Sequence, residues 1–173
     1  RVVAGALDGT SLEAMLADFC ERLDGGVMPL VRGNLSMRTL HPLLVAESRT
    51  WVRGAGIARE GFAHGESESD EWMLSPLHRL VESGDTEQRI RIEGSDDYKE
   101  FPILVDLHAV GATEYLMMLT TFSSDSHAIE RQDGMMTSWT TDRPGGFTDE
   151  DIGVMRRLVP RLGVAAKMTN LTQ

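Results

Sequence analysis

The chain has 173 residues, of which 41% are hydrophobic and 25% are charged, and its formal net charge is −10 at pH 7. This balance is typical of a folded domain and excludes a disordered chain, while the acidic charge argues against a nucleic-acid partner, because phosphate contacts need clustered Lys and Arg. The single cysteine, Cys20, excludes an intrachain disulfide. Since there is no apolar run of about 18 residues and no signal peptide, we expect no membrane contact and a cytoplasmic location.

We expect residues 1–10 to be a leading segment or linker, and residues 11–173 to form one domain that ends in a connecting helix. Near its start, apolar side chains recur at helical spacing: Leu12, Met15, Leu16, Phe19, Cys20 and Leu23. Thr10 or Ser11 is a suitable N-cap for this helix. Gly25 and Gly26 predict its end, since a left-handed glycine often terminates a helix.

Two strands are predicted next. Between residues 28 and 40, polar residues alternate with apolar ones: Val31, Leu35 and Met37 fall on one face, and Arg32, Asn34, Ser36 and Arg38 on the other. This alternation predicts a half-buried strand, and Pro42 ends it. Residues 49–53 predict a second strand and a hairpin with the first. Residues 58–70 are predicted to be a loop.

The middle of the chain predicts two helical regions around one strand. Residues 70–81 predict either one helix or two short turns divided at Pro76. Residues 88–93 alternate Ile with Arg and Glu, which predicts a short amphipathic strand. Residues 101–109 carry apolar side chains at helical spacing and predict a helix that ends at Gly111.

The last third predicts a long hairpin and a long helix. Residues 114–122 are nearly all apolar, as in a strand buried on both faces, and residues 135–141 predict its partner after a polar loop. Thr148 and the three acidic residues after it predict the start of a helix that reaches about Asn170, with a kink at Pro160. The element order predicts an α+β domain with a mainly antiparallel sheet of five clear strands.

No arrangement of residues commits the chain to catalysis. The histidines form no zinc motif; His78 and His108, on predicted helices, are candidate haem ligands, and the alternative is ordinary packing or hydrogen bonding. The sequence has no serine-nucleophile or phosphate-loop motif. One acidic run lacks the spacing of a calcium loop and is predicted to be a solvated loop: Glu66, Glu68, Asp70 and Glu71.

The large side chains predict a small-molecule pocket. Tyr115 and Met117 share one face of a predicted strand, and Trp139 lies on the next strand. A sheet face lined by Trp, Tyr and Met and covered by a helix is where such a pocket forms, although an ordinary core needs the same residue types. The candidate pocket residues are Trp51, Trp72, His78, His108, Tyr115, Met117 and Trp139.

The last helix carries two apolar stripes. We expect the stripe through Ile152, Met155 and Val159 to pack on the sheet. The stripe through Leu158 and Ala165 has no evident partner within the chain. We therefore expect this helix to pair with a second copy of the chain, through four residues: Met155, Leu158, Leu162 and Ala165.

Four segments carry a resemblance to a known family: residues 38–42 (RTLHP), 75–77 (SPL), 111–115 (GATEY) and the more specific 139–152 (WTTDRPGGFTDEDI). Together they resemble the N-terminal sensory region of bacterial class III adenylate/guanylate cyclases, which is GAF-like. The resemblance spans about residues 11–170. It implies a six-stranded antiparallel sheet of GAF type, with a sixth strand near residues 57–63 and the terminal helices on one side.

The resemblance also implies a regulatory domain rather than an enzyme, a homodimer, and a C-terminal cyclase output domain. It implies a small ligand or partner but leaves the ligand and any cofactor open. The N-K-F-D-E signature of cyclic-nucleotide binding is absent, and Cys20 has no adjacent histidine, so we do not expect a covalent bilin. Two other functions stay open: a structural dimerisation module without a ligand, and a methionine sulfoxide reductase that acts through Cys20.

Overall fold

The structure of the chain, a computed structural model, describes residues 10–38, 44–63, 70–122 and 134–171. The helices in these ranges are α1 (Leu12–Arg22), α2 (Asp70–Met73), α3 (Pro76–Ser83), α4 (Pro102–Ala109) and α5 (Asp149–Leu171). The strands are β1 (Arg32–Arg38), β2 (Leu44–Val52), β3 (Gly56–Ala63), β4 (Glu87–Arg91), β5 (Glu114–Thr121) and β6 (Gly134–Thr141). They form one antiparallel sheet in the order β3-β2-β1-β6-β5-β4. The predicted α+β class and the six-stranded sheet are confirmed.

Helices α1 and α5 pack on the same face of the sheet, which we call the terminal-helix face. Side chains alternate between the two faces along each strand. On this side, Leu35 of β1, Leu116 of β5 and Trp139 of β6 join the buried residues of both helices in one apolar core. The prediction that the terminal helices lie on one side of the sheet is confirmed.

Gly33 of β1 permits the close approach of α1 to this face. A Cβ atom at Gly33 would lie 2.7 Å from Cys20 Sγ and 2.9 Å from Trp139 Cζ3. Both distances are shorter than the van der Waals separation of two heavy atoms, even in a tightly packed core. The packing of α1 on the sheet therefore requires a residue without a side chain at this position.

Helices α3 and α4 cover the opposite face of the sheet, which we call the α3/α4 face. Tyr115 and Met117 of β5 point to this side and pack in a second apolar cluster with Leu80 of α3 and Leu104 of α4. Because Leu116, between them, belongs to the first core, β5 is buried on both faces along its first five residues. This confirms the prediction from its apolar sequence.

Strand β3 shows that the prediction of a loop from residue 58 was wrong for residues 58–63. It pairs with β2, with Ala58 opposite Thr50 and Glu60 opposite Ser48. It is the edge strand, and residues 58–61 are exposed, so burial imposes no apolar alternation on its sequence. The sixth strand implied near residues 57–63 is confirmed.

The end of α1 also differs from the prediction. Gly25 and Gly26 do not have a positive φ, so neither is a left-handed terminator. Instead α1 widens into a π-helical turn over Leu23–Val27, in which the Met28 amide donates to the Leu23 carbonyl at 2.9 Å. A bond that spans five residues rather than four adds backbone length before the chain turns into the sheet.

The other helix boundaries follow the predicted signals. Ser75 is the N-cap of α3 and Pro76 occupies its first turn, which confirms the division into two short helices. At the start of α5, the Asp151 amide donates to Thr148 Oγ1 at 3.1 Å, and the Thr148 amide donates to the Asp151 carboxylate at 2.9 Å. This reciprocal pair confirms the predicted cap. Helix α5 continues through the exposed Pro160, and a kink there stays a prediction.

Some predictions fall outside the described residues. They concern residues 1–9 of the predicted leading segment, Pro42, the loop after residue 122, and two side chains of the predicted acidic loop, Glu66 and Glu68. Among the helices of the described ranges, none has both the length and the apolar character needed to cross a bilayer.

Candidate ligand-binding face

The predicted pocket residues lie on two different faces of the sheet. Trp139 is paired with Leu116 across β5 and β6, whereas Tyr115 is paired with Thr140, so the two aromatic side chains point in opposite directions. Trp139 is 0% exposed; its ring centroid lies 5.2 Å from that of Phe19, and its Nε1 donates to Thr137 Oγ1 at 3.0 Å. Trp139 and Tyr115 therefore cannot line the same pocket.

The remaining predicted residues divide in the same way. Trp51 lies with Trp139 in the core of the terminal-helix face, whereas Met117 lies with Tyr115 on the α3/α4 face. Near α3, the rings of Trp72 and His78 meet edge to face at 5.4 Å. His108 of α4 is exposed and stacks on the ring of Tyr98 at 4.7 Å.

Beside β5, the α3/α4 face becomes polar. The strand register places on this side seven residues of β1, β2 and β6, which we call the polar strip: Arg32, Asn34, Ser36, Ser48, Thr50, Ser138 and Thr140. Four of them are buried, namely Asn34, Ser48, Ser138 and Thr140. Buried polar groups cost free energy unless they are hydrogen-bonded, so the partners of these residues indicate what the strip requires.

The β1–β2 half of the polar strip is satisfied internally. The Asn34 amide nitrogen donates to Ser48 Oγ at 2.7 Å and to Thr50 Oγ1 at 2.8 Å. Ser36 Oγ donates to the Asn34 side-chain oxygen at 3.3 Å. This network fixes the Asn34 side chain across the two strands.

The β1–β6 half of the strip is less completely satisfied. Arg32 Nη1 donates to Ser138 Oγ at 3.2 Å, and the Tyr115 hydroxyl is within hydrogen-bonding reach of both residues. Burial raises the pKa of Tyr115, and Arg32 and Ser138 offset this rise only in part, so the hydroxyl stays protonated at neutral pH. Thr140 is 0% exposed, and its Oγ1 has no hydrogen-bond partner in the described part of the chain.

An open cleft of about 410 Å³ lies beyond the end of β4. It is lined by Ile92, Gly94, Ser95, Asp96, Tyr98 and His108. His108 belongs to the predicted pocket set, but it lines this cleft rather than the polar strip. The cleft is shallow and offers a ligand contact mainly with loop residues.

The connection from β6 to α5 is tied to two other strands. Buried Glu114 of β5 accepts from Arg89 Nε at 2.6 Å and from the Phe147 amide at 2.7 Å, and Arg89 Nη2 donates to the Phe147 carbonyl at 2.9 Å. The hydrogen bond that Arg89 donates to Glu114 raises the pKa of Arg89 above its ordinary value. Gly146 has a φ of +83° and lies against the Glu114 side chain. We call Arg89, Glu114, Gly146 and Phe147 the α5 clamp.

The predicted dimer residues lie mostly in the chain's own core. Met155, Leu162 and Ala165 are fully buried, because α5 packs against both the sheet and α1. A second copy therefore cannot reach these three side chains on the folded chain. Leu158 is half-buried, and Val164, which is 50% exposed, points outward from α5.

The described residues offer little for metal or thiol chemistry. In the ranges that the structure describes, no group of three or more His, Cys, Asp or Glu residues is placed to hold a metal ion. Cys20 is fully buried, and burial raises the pKa of its thiol, with a further contribution from Glu21 and Asp24. A methionine sulfoxide reductase needs an accessible thiolate. The structure therefore contradicts this alternative.

Sequence reasoning did not identify Arg32, Asn34 and Thr140 as site residues. The alternation along β1 had placed Arg32 and Asn34 on one face. The pairing of β1 with β6, which brings Thr140 beside Arg32, joins residues more than a hundred positions apart and has no local signature. These three residues could have been indicated by one pattern, namely polar side chains on the face of a strand that packs inside the domain.

No protein-family profile and no curated protein sequence matches the chain. Solved structures do. A phycoerythrobilin-bound GAF domain from a cyanobacterial phytochrome has a TM-score of 0.59 and 11% identity, over 100% of this chain and 94% of that one. The GAF domain of a two-component sensor histidine kinase from Bacillus halodurans has a TM-score of 0.60 and 11% identity, over 94% and 97%. The GAF domain region of a membrane protein from Geobacter sulfurreducens has a TM-score of 0.60 and 14% identity, over 94% and 97%.

These similarities cover nearly the whole length of both partners in each comparison. At such low identities they concern the fold rather than the chemistry of the site. The chain has a GAF-like fold.

Proposed function

We propose that the chain is a sensory regulatory domain that binds a small molecule on the α3/α4 face. The observation that carries this proposal is the polar strip beside Tyr115, where the buried Thr140 hydroxyl has no partner among the described residues. A ligand with hydrogen-bonding groups would satisfy this position. Similarity to a bilin-bound GAF domain and to the GAF domain of a sensor histidine kinase supports a sensory role.

Helix α5 is the element through which we propose that binding reaches an output domain. The α5 clamp joins its N-terminus to β4 and β5, and β5 carries Tyr115 and Met117 on the ligand side. A ligand that moves β5 would act directly on the start of α5. A ligand shifts such an equilibrium only if it binds the two arrangements with different affinities.

We further propose that the output domain is a cyclic-nucleotide-producing class III cyclase in the cytoplasm, with residues 11–173 as its sensor. The support is the sequence resemblance at residues 139–152, which form the end of β6, the α5 clamp region and the first turn of α5. Measurement of cyclase activity in the full-length protein, with and without ligand, tests this step.

Ligand binding can be tested with methionine methyl groups as NMR reporters. Met117 and Met118 are adjacent in sequence but belong to different cores, with Met117 on the α3/α4 face and Met118 on the terminal-helix face. We expect a binding metabolite to shift the Met117 methyl resonance more than that of Met118. Larger shifts at Met118 would place the ligand on the wrong face and contradict the proposal.

A matched pair of variants separates a sensor from the alternative, a purely structural dimerisation module without ligand. Tyr115→Phe removes one hydroxyl from the α3/α4 face and should weaken binding with little change in Tm. Trp139→Phe creates space in the terminal-helix core and should lower Tm without changing affinity. If no metabolite binds and Tyr115→Phe behaves like wild type, the structural module is the better account.

We also propose that the sensor is a homodimer that pairs through the outward side of α5. Exposed Val164 supports this, since it leaves an apolar side chain on that side. Light scattering coupled to size exclusion should show a dimer, and Val164→Glu should shift it toward monomer. A wild-type monomer at high concentration would contradict the proposal.

A further inference from the structure

Arg32 differs in its pairing from three other arginines of the described chain. Arg49 is paired with Glu13 and Glu47, Arg89 with Glu114, and Arg143 with Asp151. Half-buried Arg32 has no carboxylate partner in the described ranges, and its described hydrogen bonds go to neutral hydroxyl groups.

A shielded guanidinium without a counter-ion is costly, because it has lost part of its hydration and gained no opposite charge. Its planar fork of donors also matches an oxyanion geometrically, and two parallel N–H···O bonds are the arrangement it favours. Among the residues of the polar strip, Arg32 is therefore the one whose desolvation is least compensated, and a negatively charged group would compensate it.

Thr140 lies directly beside Arg32. The register pairs Thr140 with Arg32 on one side and with Tyr115 on the other, so these three side chains form one row across β1, β6 and β5. Opposed side chains in an antiparallel pair have Cβ atoms about 4.5–5.5 Å apart. The Thr140 and Tyr115 side chains are fully buried beside half-buried Arg32, so a group that binds Arg32 contacts their hydroxyls only if the row opens locally to admit it; both hydroxyls can then donate hydrogen bonds to it.

We propose that the ligand of the α3/α4 face carries an oxyanion, a carboxylate or a phosphate, which is bound by the Arg32 guanidinium and by the hydroxyl groups of Thr140 and Tyr115. This inference rests on the proposed sensory function and specifies the ligand's chemistry. The net charge of −10 strengthens the role of Arg32, because the protein as a whole repels anions and only a local positive group can hold one.

Thermal unfolding with simple anions tests the inference. The probes are acetate and inorganic phosphate, each compared with sodium chloride at equal ionic strength. At a concentration about ten times the dissociation constant, we expect the better of the two anions to raise Tm by roughly 3–6 °C. Which anion acts distinguishes a carboxylate ligand from a phosphate ligand.

Three variants assign the effect to the row. Arg32→Gln should abolish the rise in Tm. Thr140→Val removes the unpartnered hydroxyl at nearly constant volume, so it should raise the Tm of the free protein and reduce the rise caused by the anion. Arg161→Gln removes an exposed arginine of α5 and should leave the rise unchanged.

The inference is overturned if neither anion raises Tm above the chloride control, or if the rise persists in Arg32→Gln. If Arg32→Gln does not fold, Thr140→Val decides: an undiminished rise overturns the inference. The methionine NMR experiment distinguishes failure of the oxyanion inference from failure of the proposed sensory function. A neutral metabolite that shifts Met117 equally in wild type and Arg32→Gln would refute the oxyanion and leave the sensor intact.

Discussion

The two consecutive glycines before α5 allow a sharp test of the α5 clamp. Gly145 and Gly146 have φ values of +87° and +83°, so alanine at either position incurs the left-handed backbone cost of about 1–2 kcal/mol. A Cβ at Gly145 would meet nothing within 4 Å, whereas one at Gly146 would lie 3.1 Å from Glu114 Cβ and closer still to its carboxylate. The variants Gly145→Ala and Gly146→Ala therefore share the backbone strain and differ in the clash.

The clash should displace the Glu114 carboxylate from the Phe147 amide, to which it is bonded at 2.7 Å. Loss of a hydrogen bond to a buried charged group costs about 1.5–3 kcal/mol. At about 2–4 °C per kcal/mol for a chain of this size, Gly146→Ala should melt roughly 3–12 °C below Gly145→Ala.

Thermal melts followed by circular dichroism measure this difference. A double-mutant cycle identifies its cause: in a Glu114→Ala background, Gly146→Ala should cost no more than Gly145→Ala does in the wild type. Equal Tm values for the two single variants, or an unchanged difference in the Glu114→Ala background, would refute the reasoning.

Two further predictions concern other parts of the chain. Burial alone would raise the pKa of Asp24, but hydrogen bonds from Arg53 and from the Leu30 amide outweigh it and hold the pKa below its ordinary value. The resulting stabilisation is complete above the unfolded pKa of about 3.9 and is lost as pH falls through the lowered folded pKa. Asp24→Asn should therefore cost about 1–2 kcal/mol at pH 7 and progressively less as the pH falls below about 3.9 in urea titrations, and a cost that does not change with pH would contradict this. Cys20, whose thiol pKa is raised by burial, should not react with a thiol reagent in the native protein and should react fully in guanidinium; rapid native labelling would mean that the core around α1 opens.

The sequence predicted well those elements whose signals are local. Two examples are the all-apolar run of β5 and the Thr148–Asp151 cap of α5. Each depends only on residues that are close in sequence, and both are present as predicted. Edge strand β3 was missed by alternation because exposed side chains on a sheet edge are not constrained to be apolar.

The site was harder to predict because it depends on which faces of paired strands coincide. Alternation shows that Tyr115 and Met117 share a face, and that Trp139 shares one with Thr137, but a change of one residue in the β5–β6 register exchanges the faces. The observed register places Trp139 beside Leu116 and away from Tyr115. The burial of Ala165 on the second stripe of α5 likewise depends on how α5 packs against α1 and the sheet, which no local sequence pattern shows.

The double burial of β5 has a mechanical consequence. Tyr115 and Met117 touch one core while Leu116 and Met118 touch the other, so the two cores are separated by a single backbone. Close-packed interiors transmit small displacements rather than absorb them. A molecule that displaces the backbone at Tyr115 also displaces Leu116, because the two residues are covalently bonded. A displacement can therefore pass from one core to the other across a single peptide bond.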